Sequence, residues 1–139
     1  MAEFIFKKIV KDNGMEDLFV INSCATSSEE IYNGIGNPMY PPAVSQLRKN
    51  SIPFTPRQAT RLSINDYEKY DLLVCMDSNN ITNAKRMLGS DPEQKIKLLL
   101  SFTGENRNVS DPWYTGDFEK AFNDISKGCL SLYEYLTAE

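Results

Sequence analysis

Apolar residues recur along this chain with two periods, and the alternation between them outlines the elements. Ala2, Ile5, Phe6, Ile9 and Val10 share one face at helical spacing, with Glu3, Lys7, Lys8 and Lys11 off it, so MAEFIFKKIV is predicted to be an amphipathic helix that Gly14 stops. LFVINSCA (18–25) reads as a short strand and TSSEEIYNGIGNPMYPP (26–42) as a loop rich in Gly and Pro. PPAVSQLRKN opens a helix on a proline, and SINDYEKY (63–70) a shorter one with Ser63 as cap and Asp66 three residues on. DLLVCM (71–76) is a continuous apolar run between Asp71 and Asp77, the pattern of a strand buried on both faces, and Asp77 can cap the helix that Gly89 closes. IKLLLSF (96–102) is a third strand and GENRNVSDPWYTG (104–116) a polar loop. Phe118, Ala121, Phe122, Ile125, Cys129, Leu132 and Leu136 then form the stripe of a last helix.

This order, α-β-α-α-β-α-β-α, predicts an α/β fold in three layers, a small parallel sheet flanked by helices. Its first strand is expected to be missing, because a βαβ unit needs a strand ahead of its first crossover helix and none precedes residue 1. A length of 139 residues fits a single domain, 1–139. No apolar run is long enough for a membrane span, which argues against a membrane partner. The net charge of −4 and the scattered basic residues argue against nucleic acid. Three widely spaced cysteines suit a reducing cytoplasm better than a disulfide framework or a metal site, and no cofactor is expected. With no histidine in the chain, chemistry built on a His-based triad is excluded.

The candidate chemistry gathers in DPWYTGDFE (111–119). Locally, Asp-Pro is a turn signal; functionally, Asp111 would be a carboxylic acid on a loop at the carboxyl edge of a parallel sheet, with Trp113 and Tyr114 as walls for a flat substrate. A cysteine phosphatase needs Cys-x-x-x-x-x-Arg, but the residues six after Cys24, Cys75 and Cys129 are Glu30, Ile81 and Tyr135, and all three cysteines lie in apolar patterns typical of inert buried thiols. Gly34 and Gly36 make no dinucleotide loop, since Met39 holds the third glycine position. Tyr32 and Tyr40 either line a groove for an aromatic ligand or anchor their loop, and Met76-Asp77 is a helix cap or part of a site.

Taken in order, MAEFIFKKIV, SCATSSEEIYNGIGNPMYPPA, RQATRLS, DYEKYDLLVCMDSNN and SDPWYTGDFE resemble the low molecular weight protein tyrosine phosphatases, whose fold is the phosphotyrosine phosphatase I-like one. The resemblance implies that Asp111 is the general acid, that Trp113 and Tyr114, with Tyr32 and Tyr40, bind the substrate, and that Asp77 and Asn80 of the M-D-x-x-N segment support the site from behind. Arg57 stands near where the family often carries a histidine.

In the family a strand and a Cys-x-x-x-x-x-Arg-Ser-Pro loop come just before the position of Met1, so the resemblance implies a chain begun at an internal methionine, without the nucleophile and the phosphate-binding arginine. The complete protein would hydrolyse a phosphotyrosine protein or a small aryl phosphate through a cysteinyl-phosphate, while these residues alone would be inactive. The alternative is a non-catalytic binding or regulatory protein. The absent strand, expected between the segments 18–25 and 71–76, would leave a gap through which copies could form a homo-oligomer.

Overall fold

The computed structural model describes residues 1–27, 31–32, 35–36 and 38–138, with the side chains of residues 31, 32, 35, 113 and 114 outside the description. Helix α1 (Ala2–Asp12) leads through Gly14, at φ 68°, into a 3₁₀ turn at Glu16–Leu18. Strands β1 (Ile31–Tyr32) and β2 (Ile35–Gly36) form a small antiparallel ribbon. Helices α2 (Pro41–Lys49) and α3 (Ile64–Lys69) come next, and then β3 (Leu73–Cys75), α4 (Ser78–Leu88) and β4 (Ile96–Leu98). A 3₁₀ turn at Leu99–Thr103, the single turn α5 (Pro112–Thr115) and the long α6 (Phe118–Thr137) complete the chain.

Local chemistry explains the helix boundaries. At α3 the Ser63 N–H donates to the Asp66 carboxylate at 2.9 Å, and at α4 the Asn80 N–H donates to the Asp77 carboxylate at 2.7 Å, so each start satisfies donors that the helix itself cannot. Gly89, at φ 82°, ends α4 in a conformation that a side chain would disfavour.

Strands β3 and β4 run parallel, with Leu73 opposite Ile96, Val74 opposite Lys97 and Cys75 opposite Leu98. Alternation along β3 assigns its two faces. Leu72, Val74 and Met76 pack on the cluster built from Phe4, Ile5, Phe6 and Val10 of α1, Leu47 of α2, Leu99, Leu100, and the buried stripe of α6; Leu73 and Cys75 turn the other way, towards Leu62, Ala84 and Ile96. The sheet thus has helices on both sides, the expected three layers. Gly128 lets α6 approach closely, since a Cβ there would stand 2.5 Å from the Leu99 side chain.

Three expectations are corrected. The strand predicted at 18–25 is not one. Leu18 ends the 3₁₀ turn, and among the described residues only Ala25 makes a β-bridge, parallel to Arg61, with Ala25 N donating to Thr60 O at 2.6 Å and Leu62 N to Ala25 O at 2.9 Å. Apolar alternation does persist there: Phe19 and Ile21 pack on the core, while Leu18 and Val20 are 75% and 70% exposed. IKLLLSF is a strand only to Leu98, because the Ser101 and Thr103 hydroxyls donate to the carbonyls of Leu98 and Leu100, each at 2.6 Å, and draw the chain into a turn. Cys24, expected to be buried, is exposed, whereas Cys75 and Cys129 are buried as expected.

Candidate functional site

The site forms where β3 ends. Val109 N donates to Met76 O at 2.9 Å and Ser78 N to Asn108 Oδ1 at 3.0 Å, which fastens the loop before Asp111 onto the β3–α4 turn. Asn80 joins three segments at this point. Its Oδ1 accepts from Met76 N at 3.1 Å and Asp77 N at 3.3 Å, and its Nδ2 donates to Thr26 Oγ1 at 3.4 Å. Asp77 and Asn80 therefore serve as a reciprocal cap, which fixes the turn between β3 and α4.

Asp111 itself is half-buried and is held by its neighbours on both sides. Upstream, Ser110 N donates to Asp124 Oδ2 at 3.0 Å, and the guanidinium of Arg107 clamps the same carboxylate with Nη1 to Oδ2 at 3.0 Å and Nη2 to Oδ1 at 2.9 Å. Downstream, the Asp111 carbonyl accepts from both the N–H and the hydroxyl of Thr115, each at 3.2 Å, closing the turn of α5. Asp117 caps α6 by accepting from Lys120 N at 2.9 Å. Tyr40, at the start of α2, stacks on Phe118 with ring centroids 5.6 Å apart, so the loop tyrosine and the DPWYTGDF segment meet.

Arg107, Asp124, Glu3 and Arg57 are each paired with an opposite charge. Hydrogen bonds from Arg107, opposed by burial and helped by Ser110 N–H, hold the Asp124 carboxyl below the usual range; the same pair pushes the Arg107 guanidinium higher still. On α1, Glu3, 7% exposed, accepts from Lys7 at 2.6 Å and from Ser23 Oγ at 2.7 Å, and pairs with Arg57 Nε at 3.2 Å. Burial opposes its ionisation, but these partners outweigh it and its pKa lies below the ordinary value. Arg57 also donates to Ser23 O. Burial pushes the Cys75 thiol up to about 11 and the Cys129 thiol up to about 12. The Cys24 thiol is raised too, by desolvation and then by Asp66, against the pull of Arg57.

The structure thus brings Asp111, Asp77, Asn80 and Tyr40 into one region by backbone ties and ring contact. Tyr32 lies on β1, and Trp113 and Tyr114 on α5; their side chains fall outside the described residues. Among the described residues there is no cluster of His, Cys, Asp or Glu able to hold a metal, and no helix is long and apolar enough to cross a membrane. Sequence reasoning missed Thr26, Arg107, Asn108 and Asp124. Asp124 carried a signal, since a carboxylate three residues after Ala121 falls on the buried side of α6 and must find a partner there. Gly36, dismissed with the dinucleotide reading, has a packing role: a Cβ there would lie 1.7 Å from the Ala59 carbonyl oxygen.

Comparison with known proteins bears on the same region. The family described as low molecular weight phosphotyrosine protein phosphatase matches residues 1–139. The low molecular weight protein-tyrosine-phosphatase YfkJ of Bacillus subtilis is 30% identical over 141 residues, spanning 100% of this chain and 88% of the relative. Its crystal structure superposes with a TM-score of 0.88 over 97% of this chain and 84% of that one. The low molecular weight phosphotyrosine protein phosphatase of Gallus gallus is also 30% identical, over 96% of this chain and 85% of its own length. The structure of SP-PTP, a low molecular weight protein tyrosine phosphatase from Streptococcus pyogenes, is 33% identical with a TM-score of 0.85, covering 99% of this chain and 84% of that one.

Proposed function

Since the chain belongs to the low molecular weight phosphotyrosine protein phosphatase family, we propose that it supplies the leaving-group side of a phosphotyrosine phosphatase, with Asp111 as the general acid. The observation that supports this most is the tie from Val109 to Met76, which sets the Asp111 loop at the carboxyl end of a parallel strand beside Asp77 and Asn80. Ligand chemistry in open α/β sheets takes place at that end. Tyr40, and with it Tyr32, Trp113 and Tyr114, would form the aromatic walls against the phenyl ring of the substrate. The site calls for no cofactor.

In this reading a thiolate attacks phosphorus, the S–P bond forms and the P–O bond breaks, and the Asp111 carboxyl gives its proton to the departing phenolate. Water then attacks the cysteinyl-phosphate; the Asp111 carboxylate takes a proton from it as the S–P bond breaks and phosphate leaves. None of Cys24, Cys75 and Cys129 is followed six residues later by arginine, and surroundings push all three thiols away from the thiolate form. In this reading the nucleophile is the cysteine of a Cys-x-x-x-x-x-Arg segment, a pattern that residues 1–139 do not contain, and these residues alone are expected to be inactive. A general acid by itself contributes about 10²- to 10⁴-fold, short of what phosphate monoester hydrolysis requires.

The test is hydrolysis of p-nitrophenyl phosphate and a phosphotyrosine peptide by two proteins: residues 1–139, and the same residues behind a strand and a Cys-x-x-x-x-x-Arg-Ser-Pro loop. The second should turn over and the first should not. Robust turnover by residues 1–139 would overturn the mechanism. We also propose a reducing, cytoplasmic setting and weak self-association through the sheet edge. Among the described residues β3 has a ladder only with β4, and residues 19–24 have none.

A further inference from the structure

Taking Asp111 as the acid, a premise that rests on the preceding reading, we infer that Asp124 is its positioning residue and that Arg107 locks Asp124 in place. The backbone of an aspartate sets the direction of its Cα–Cβ bond and the rotamers open to it, and here the peptide groups on either side of Asp111 are held separately. On the far side, Thr115 fixes the Asp111 carbonyl through two hydrogen bonds, and Pro112 restricts Asp111 to extended conformations. On the near side, Ser110 N–H is held by Asp124 Oδ2. Asp124 is 7% exposed and sits on α6 between Ala121, Ile125 and Gly128, all buried, so the carboxylate cannot follow the loop if the loop moves. The bidentate guanidinium of Arg107 fixes the carboxylate plane, and with it the direction in which Oδ2 meets Ser110 N–H.

The arrangement needs an anion, as counting donors shows. Both Asp124 oxygens accept, from three N–H groups in total. In Asp124→Asn one oxygen becomes NH₂, a donor. Whichever way the amide turns, its NH₂ faces a terminal nitrogen of Arg107, donor against donor, and in one of the two orientations it also faces Ser110 N–H. The volume of the side chain is nearly conserved, so what is lost in either orientation is the Arg107 fork that fixes the plane of the group holding Ser110 N–H. A misplacement of about 1 Å costs on the order of 10²-fold in a positioned reaction step.

The experiment compares two esters in the chain that carries the Cys-x-x-x-x-x-Arg segment. Phenyl phosphate has a leaving group that needs the proton; 2,4-dinitrophenyl phosphate has one that does not. The ratio of kcat for the first to kcat for the second should fall on the order of 10²-fold in Asp124→Asn and less in Arg107→Lys, which keeps a charge but loses the fork. An equal loss with both esters would show a merely structural role and overturn the inference. A parent that hydrolyses neither ester would instead refute the functional reading. Carboxyl ¹³C spectra of residues 1–139, which need no turnover, decide the positioning in that event too. The Asp111 signal should move in Asp124→Asn and in Arg107→Gln while that of Asp91 stays, and an unmoved Asp111 signal would overturn it. Arg107→Gln changes a side chain that is 42% exposed, so it supplies the same test should Asp124→Asn not fold.

Discussion

Asp91 and Asp124 do the same chemistry at different places in the fold. Asp91 accepts from the Tyr67 hydroxyl at 2.7 Å, Lys95 N at 2.8 Å and Ile96 N at 3.1 Å, and so pins the amino end of β4 to α3. Asp124 accepts from Ser110 N and from both terminal nitrogens of Arg107, and so pins the loop that Val109 fastens to the carboxyl end of β3. Both carboxyl pKa values lie below the ordinary one: burial opposes ionisation of Asp91 but its hydrogen bonds prevail, while for Asp124 the Arg107 bonds dominate from the outset. A carboxylate rich in hydrogen bonds therefore does not by itself mark a site. What distinguishes the two is what their donors are attached to: the first residue of a strand in one case, the residue before Asp111 in the other.

The largest effect should come from breaking the scaffold member of the pair. Asp91→Ala leaves the Tyr67 hydroxyl and two backbone N–H groups without their acceptor, at about 1–3 kcal/mol for each that water cannot reach, so about 3 kcal/mol in all. For a chain of this size that lowers Tm by roughly 10 °C. The ratio of kcat for the two esters should not follow, because the groups that Asp91 holds lie on α3 and at the amino end of β4, away from the carboxyl end of β3 where the Asp111 loop is tied. Calorimetry with that ratio measured alongside checks it, and a shifted ratio would erase the contrast between the two aspartates.

A smaller effect sharpens the contrast by pH. Each carboxyl has a folded pKa depressed below its unfolded value of about 3.9, so the stability it contributes is fully present above that value and is lost as pH falls through the folded pKa. Urea midpoints measured from pH 6 down to pH 2 should therefore decline along an acid limb. That limb should be shallower in Asp91→Asn and in Asp124→Asn than in the parent. An acid limb as steep in both variants as in the parent would mean that neither pair stabilises the fold.

What could be read from the sequence divides along the range of the interactions. The capping residues Ser63 and Asp66, and Asp77 and Asn80, lie three positions from their partners, so composition and spacing reveal them. The faces of β3 and α6 are legible because burial repeats with the period of the element. The Asp111 loop is legible through the order of DPWYTGDF within the chain. Its clamp is not, because Arg107 and Asp124 are 17 residues apart and nothing local connects them. The segment 18–25 misleads for a related reason: alternation gives it extended backbone, with Phe19 and Ile21 inward, but a strand also needs a neighbour, and the sequence of a segment does not contain its neighbour.

That segment carries the last and smallest expected effect, since it is where the sheet side of the fold is least complete. Leu18, at the end of the 3₁₀ turn, and Val20 are 75% and 70% exposed, and among the described residues 19–24 make no ladder and β3 is laddered only to β4. Such an edge invites a second copy, and a two-fold pairing would set residues 19–24 antiparallel to their own copy. The gain is limited. Burying two large apolar side chains contributes about 1.5–3 kcal/mol each, against roughly 4–15 kcal/mol for the freedom lost on association, so added backbone bonds leave at most a weak dimer. Light scattering across a wide concentration range should show a mass that climbs towards the dimer at high concentration, and Val20→Lys, which adds an edge charge, should hold it at the monomer. A parent that is monomeric at every concentration would refute the association and leave the exposed pair as solvated surface.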